Sequence, residues 1–258
     1  MSLLQVKGAA NIDGGVLVAL TTFQDLTYDP STQVLEAGPA LHWLDVYSFL
    51  EPHGRVAIGG RLAGIGIAGL TLGGGINYFT NKYGFAMDNV VAYEVVTADG
   101  KIVTASATSN RDLFWALKGG AGNFGIVTKF TYQTYEIPTV STHFALLSGE
   151  AMPDYFNAIN ELSHFEEEGE ITAAGGIFSI AYTPSSGSSL GIMLGVQAGS
   201  TLTPSYFANF SAIPSEFLIE SVDNVTTLAQ AVTNPVLNVP LQFARFVSQR
   251  SSSTILNS

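Results

Sequence analysis

Gly59-Gly60-Arg61-Leu62-Ala63-Gly64-Ile65-Gly66-Ile67-Ala68-Gly69-Leu70-Thr71-Leu72-Gly73-Gly74-Gly75 carries eight glycines in seventeen positions. Glycine loses more backbone freedom on folding than any other residue and builds neither a good helix nor a good strand, so ordering this run requires a compensating interaction. Two readings stand. The run is either a set of tight turns between strands, or a backbone that approaches a ligand closely. In the second case N–H groups unshielded by side chains form a concave nest for a pyrophosphate, with no lysine required. A second cluster, Gly119-Gly120-Ala121-Gly122-Asn123-Phe124-Gly125, stands between a helix and a strand. Alone it is a helix stop and a turn; with the first cluster it suits a long, two-ended ligand.

Around these loops the chain alternates strand-like and helix-like pieces. Residues 16–20 read as a short apolar strand, and residues 26–37 as a hairpin turning at Asp29-Pro30-Ser31-Thr32, where proline presets the turn. Pro39 is expected to open a helix through Leu50, with Leu41, Leu44, Tyr47 and Leu50 on one face and Glu51-Pro52-His53-Gly54 as its stop. Residues 93–105 form a hairpin about Asp99-Gly100, the strongest short turn signal. Asn110 caps a helix bearing Leu113, Phe114 and Leu117, Gly119 ends it, and residues 124–135 alternate as a long strand. At Pro138 the texture changes: basic residues vanish and glycines spread singly, which sets a boundary between residues 1–138 and 139–258. Beyond it an amphipathic helix over residues 152–165 precedes strands over 171–182 and 190–198, the grammar of an antiparallel sheet with helices on one side. The Ser-rich tail from Ser248 reads as frayed.

Composition excludes several function classes. The 258 residues are 47% hydrophobic and 12% charged, which describes a well-buried globular chain. Ten Lys+Arg stand against 21 Asp+Glu, and no basic residue lies between Lys129 and Arg245, so no nucleic-acid partner is expected. The uncharged stretch 171–215 is cut by glycines and prolines into pieces too short to span a bilayer. No membrane partner and no N-terminal signal are expected; residues 1–7 are too short for an apolar signal core. The absence of cysteine removes disulfides and thiolate chemistry. Sequons at Asn209 and Asn224 permit glycosylation if the chain enters a secretory route.

Three formal motif matches depend on their context. Gly64-x-Gly66-x-x-Gly69, with Asp88 downstream as the ribose acid, fits the dinucleotide fingerprint. The helix that motif requires would hold Gly73, Gly74 and Gly75 in its interior, at about 1 kcal/mol each. Gly187-Ser188-Ser189-Leu190-Gly191 matches a nucleophile elbow, but no histidine follows it and a hairpin turn explains it. His164 beside Glu166, Glu167, Glu168 and Glu170 reads as a solvated helix end and not a metal site. His42 on the helix surface, His53 in its stop loop and His143 on a strand have no recognisable catalytic partner.

Residues 14–138 resemble the flavin-binding domain of the vanillyl-alcohol oxidase superfamily, in particular FAD-linked oxidoreductases similar to berberine bridge enzyme. The resemblance lies in the order of Gly38-Pro39, Glu51-Pro52-His53-Gly54, Gly59-Gly60-Arg61, Ile65-Gly66-Ile67-Ala68-Gly69, Leu72-Gly73-Gly74-Gly75, Lys82-Tyr83-Gly84, Asp88-Asn89-Val90, Asp112-Leu113-Phe114-Trp115-Ala116-Leu117 and residues 119–127. It implies an α+β chain: the second subdomain of a PCMH-type FAD-binding domain, then part of an antiparallel-sheet substrate domain. It also implies that Gly59, Gly60, Arg61, Leu62, Gly64, Ile65, Gly66 and Gly69 wrap the pyrophosphate and the ring edge, that Gly74 and Gly75 support this cradle, and that Ile126 and Val127 line the adenosine end.

Departures from the family pattern carry their own expectations. The histidine that commonly tethers the flavin would precede Met1, and the second tether, a cysteine, is Leu62 here. FAD is therefore expected without a covalent link in these residues, in a chain shortened at both ends. No catalytic residue is carried over. Asn77 and Tyr78 are equally suited to the flavin cavity and to packing. Ile65 stands where the family often has a smaller branched residue on the oxygen-reactive side, which implies restricted oxygen access. The reading is an FAD-dependent oxidoreductase passing hydride from a small organic substrate, a secondary metabolite, to flavin; the alternative is a remnant that does not retain FAD.

Overall fold

The computed structural model describes residues 14–164 and 171–233. The chain divides into two compact units, Met1–Pro138 and Thr139–Ser258.

In the first unit β1 (Leu26–Asp29), β2 (Val34–Ala37), β3 (Arg55–Ala57), β4 (Val90–Val96), β5 (Ile102–Ser106) and β6 (Ile126–Glu136) form an antiparallel sheet. The order is β1-β2-β6-β4-β5, with β3 paired to the far end of β6. Helices α1 (Trp43–Leu50), α2 (Ile67–Leu72), α3 (Thr80–Tyr83) and α4 (Arg111–Leu117) complete it. Cross-strand register puts Leu35 opposite Tyr132, and Ala37, Phe130, Tyr93 and Ala105 in one row, all fully buried. The buried stripe of α1 is Trp43, Val46, Tyr47 and Leu50, and the Trp43 ring meets Tyr132 edge-on at 5.5 Å. Burying each such side chain contributes about 1.5–3 kcal/mol. One irregularity bears on the site. Glu94 pairs with Lys129 but Val95 with Val127, which makes Thr128 an extra residue. This bulge turns Val127 into the core while Thr128 Oγ1 donates to Glu94 Oε1 at 2.7 Å.

Several expectations are corrected here. Residues 16–20 form no strand: no described strand pairs with them, and Val16 is 86% exposed. The first helix begins at Trp43 and not at Pro39, because residues 39–42 are spent on a turn and on the bridge from His42 to Gly66. Asn110 occupies the cap position of α4 but in a left-handed conformation (φ 46°); its amide donates to Thr104 O, and its side chain accepts no bond from the helix N–H groups.

In the second unit β7 (Val140–Leu147), β8 (Ala174–Thr183), β9 (Ser188–Ala198) and β10 (Leu218–Thr226) form an antiparallel sheet ordered β10-β7-β9-β8. Helix α5 (Met152–Ser163) and α6 (Ala208–Ser211) cover one face, where Tyr155, Ala158, Phe207 and Phe210 pack on Ala145, Leu147, Ala174 and Met193. A Cβ on Gly195 would come within 2.5 Å of the Phe207 ring, so the bare strand position makes room for that aromatic. A short α7 (Leu228–Ala231) follows β10. Strands β7 and β10 carry no clean alternation in the sequence, because β7 is buried on both faces and β10 is exposed at the sheet edge.

Candidate cofactor cradle

From β3 the chain enters the first glycine run across the face of Trp43. A Cβ on Gly60 would lie 2.6 Å from Trp43 Cδ1, and the gap at Gly59 is tighter still. These two glycines are required by packing against a rigid indole. The next three peptide units are held by buried side chains. Asn77 Nδ2 donates to Gly59 O at 2.8 Å and to Tyr47 Oη at 3.2 Å, Tyr47 Oη donates to Gly60 O at 2.8 Å, and Tyr78 Oη donates to Arg61 O at 3.1 Å. The described backbone contains no cis peptide. In a planar trans unit the N–H points opposite to the C=O, so the N–H groups of Gly60, Arg61 and Leu62 face away from this buried polar set. Burial pushes the Tyr47 and Tyr78 hydroxyls well above the usual tyrosine range and keeps them protonated donors. Burial also lowers the neighbouring Arg61 guanidinium, partly offset by Tyr78.

Past this point the loop opens. A Cβ on Gly64 or Gly69 would meet nothing within 4 Å. Gly66 is the extended residue before α2, anchored by Trp43 N to Ile65 O at 2.9 Å and Ile67 N to Leu41 O at 3.0 Å. Helix α2 lasts six residues and stops at Gly73, and Gly74 and Gly75 follow with φ of 112° and 80°. Their carbonyls accept from Met87 N at 2.9 Å and Ala86 N at 2.8 Å. Met87 joins the two glycine clusters: its Sδ lies 4.0 Å from a Cβ built on Gly74 and 3.6 Å from one on Gly119. Helix α2 also touches the short turn Ala121–Phe124, in which Ala121 adopts φ 53°. The two runs are thus neighbours at their near ends, where α2 and Gly74 approach Gly119 and the turn Ala121–Phe124. Of the adenosine-end pair, Ile126 is partly exposed, whereas the Val127 side chain is core opposite Val95, which leaves only its backbone to meet a ligand.

Other candidates resolve structurally. Asn77 and Tyr78 point inward, where they hold the loop. Asp88 caps the turn at Phe85 N (2.9 Å), and with every described strand pair in the unit antiparallel, the dinucleotide fingerprint follows no parallel strand among the described residues. Gly187, at φ 67°, lies in the β8–β9 hairpin turn. His42 donates its backbone N–H to Asp45, and His53 packs on Tyr28. His143 does have an acidic partner that its sequence surroundings hid: cross-strand Asp223 at 2.7 Å, itself bonded to Thr203. His164 is exposed at the end of α5, and the glutamates at 166, 167, 168 and 170, like the tail from Ser248, lie outside the described residues. Among the described residues there is no cluster of three metal-ligating side chains and no helix long and apolar enough to cross a membrane. Asn209 and Asn224 are both exposed.

This pairing of an antiparallel sheet unit bearing joined glycine loops with a helix-covered antiparallel sheet is the fold of flavoprotein oxidases. It matches 6-hydroxy-D-nicotine oxidase from Arthrobacter nicotinovorans with a TM-score of 0.75 at 24% identity, over 90% of this chain and 50% of that one. A variant of berberine bridge enzyme matches with a TM-score of 0.67 at 20% identity, over 84% and 43%. Residues 4–106 match the family described as an FAD binding domain. Penicillium roqueforti has a relative named FAD-dependent monooxygenase prx3, 37% identical over 215 residues, which are 83% of this chain and 42% of the relative. The chain is similar to FAD-linked oxidoreductases and shares its fold with berberine bridge enzyme, and it spans about half the length or less of the relatives it matches.

The residues present fit FAD. The donor set is backbone N–H, suited to a diphosphate, and the open positions at Gly64 and Gly69 leave the approach clear. A remnant lacking a cofactor site is not favoured, because the two glycine runs meet and the match to an FAD binding domain is retained.

Proposed function

We propose that this chain holds FAD without a covalent bond, and that the protein it represents oxidises a small organic substrate, a secondary metabolite, by hydride transfer. The observation that carries the reading is the orientation of the loop: three consecutive carbonyls tied to Asn77, Tyr47 and Tyr78 turn three N–H groups to the opposite side. Gly59, Gly60, Arg61, Leu62, Gly64, Ile65, Gly66 and Gly69 form the wall against the diphosphate and the ring edge, with Arg61 adding positive charge. Gly74 and Gly75 hold that wall through their bonds to Ala86 and Met87, and the backbone at Ile126 and Val127 serves the adenosine end. When bound, FAD supplies a two-electron acceptor for the hydride. The protein's part is to bind, orient and screen from water. Leu62 at the cysteinyl position and the absence of cysteine support the non-covalent mode, because they remove the thiolate link. The name of the Penicillium roqueforti relative, a FAD-dependent monooxygenase, supports redox chemistry on flavin.

The test is to purify the chain with added FAD, pass it through gel filtration and record the visible spectrum. A flavin band co-eluting with protein near one per chain supports the reading, and a colourless protein peak overturns it.

A further inference from the structure

We propose that Tyr47, Asn77 and Tyr78 are positioning residues for the cofactor, which lock three consecutive peptide units in the one orientation that presents their N–H groups to the flavin nucleotide. The inference rests on the FAD reading above.

Gly59 and Gly60 have the widest backbone freedom of any residue, so nothing local prevents their peptide planes from turning over and carrying the N–H groups with them. The restraint comes from three side chains distant in sequence. Asn77 is 3% exposed, and its Oδ1 accepts from Phe79 N at 2.9 Å, which fixes its amide with both Nδ2 hydrogens directed at Gly59 O and Tyr47 Oη. Tyr47 Oη accepts from Asn77 and passes its own hydrogen to Gly60 O, closing the circuit. Tyr78, 1% exposed, holds Arg61 O. A turned peptide would leave a fully buried donor unpaired, which is costly. Donation into a peptide carbonyl also polarises that unit and strengthens the N–H at its other end. The hydroxyls stay neutral because burial raises them, so the lock is insensitive to pH across the physiological range.

The test compares wild type with Tyr47→Phe and Tyr78→Phe, each of which removes one donor and keeps the ring. Tyr155→Phe is the control: a buried tyrosine of the other unit whose hydroxyl donates to Ile192 O at 2.9 Å. Titration with FAD, followed by flavin fluorescence, should give affinities about threefold to tenfold weaker for each cradle variant and unchanged for the control. The reduction potential of the bound flavin should become more negative in the same two variants only. Without FAD, the amide proton and nitrogen resonances of Gly60, Arg61 and Leu62 should move in the cradle variants and stay in place in the control. Wild-type affinity and potential in both folded cradle variants, or unmoved loop resonances, would overturn the assignment. A wild type that binds no FAD sinks the cofactor reading, and the resonances still decide whether these side chains set the loop.

Discussion

The indole of Trp43 lies so close beneath Gly59 that a Cβ there would sit 2.0 Å from Cζ3. Ring and glycine are sixteen positions apart in sequence, yet each dictates the other: the helix can bury tryptophan on this face only where the loop carries no side chain. Glycines at Gly64 and Gly69, in the same run, have no such neighbour.

Replacement should therefore sort the run into two kinds. Gly59→Ala and Gly60→Ala should destabilise by about 1–3 kcal/mol through overpacking against a rigid ring. Gly69→Ala, inside α2, should stabilise by about 0.5–1 kcal/mol, and Gly64→Ala should be neutral or mildly stabilising, while both weaken FAD binding. Urea unfolding and FAD titration of the four variants check this; equal stability losses at all four would refute the division.

Ala121 is held in the left-handed region within the second glycine loop. That conformation costs a residue with a Cβ about 1–2 kcal/mol, against about 0.5–1 kcal/mol for the extra freedom of glycine. Ala121→Gly should raise stability by about 0.5–1 kcal/mol, read from the urea midpoint. Destabilisation would mean that the methyl group makes a compensating contact.

Acid should release a turn. The carboxylate of Asp29 accepts from Ser31 Oγ at 2.6 Å, Thr32 Oγ1 at 2.8 Å and Ser31 N at 2.8 Å, and these bonds, the Ser31 hydroxyl foremost, hold it at about 2 against an ordinary 3.8. A depressed carboxylate stabilises the fold above its unfolded value and loses that contribution as pH falls through the folded one. The stability difference between wild type and Asp29→Asn should be present at neutral pH and shrink between pH 3.8 and about 2. A difference independent of pH would show that the amide replaces the carboxylate fully.

The half-buried side chain of Ile65 lies over the Gly60 backbone, with its Cβ 3.4 Å from a Cβ built there. If it restricts oxygen, Ile65→Val should speed reoxidation of the reduced, FAD-loaded protein severalfold in stopped-flow traces. An unchanged rate would remove Ile65 from that role.

Local chemistry made much of the first unit legible. Asp99-Gly100 and Asp29-Pro30 sit in turns where their backbone preferences demand, and the glycine runs declared themselves through a density that no ordinary helix or strand carries. Less legible were Trp43 and Val46 in the α1 stripe, the exposed segment 16–20, and strands β7 and β10, because burial on both faces or on neither erases periodicity.

The amino-acid order by itself determined that backbone without side chains is concentrated at two places, that no thiol is available to bind a cofactor, and where the tight turns fall. Only the tertiary structure decided which glycines yield to an indole and which face open space, that Met87 brings the two runs together, and which way the peptide planes of residues 59–62 point. The reason is physical: residue type sets the conformations a peptide unit is permitted, while its direction is chosen by hydrogen-bond partners that arrive from α1 and from the segment beyond Gly75, and no local window contains them.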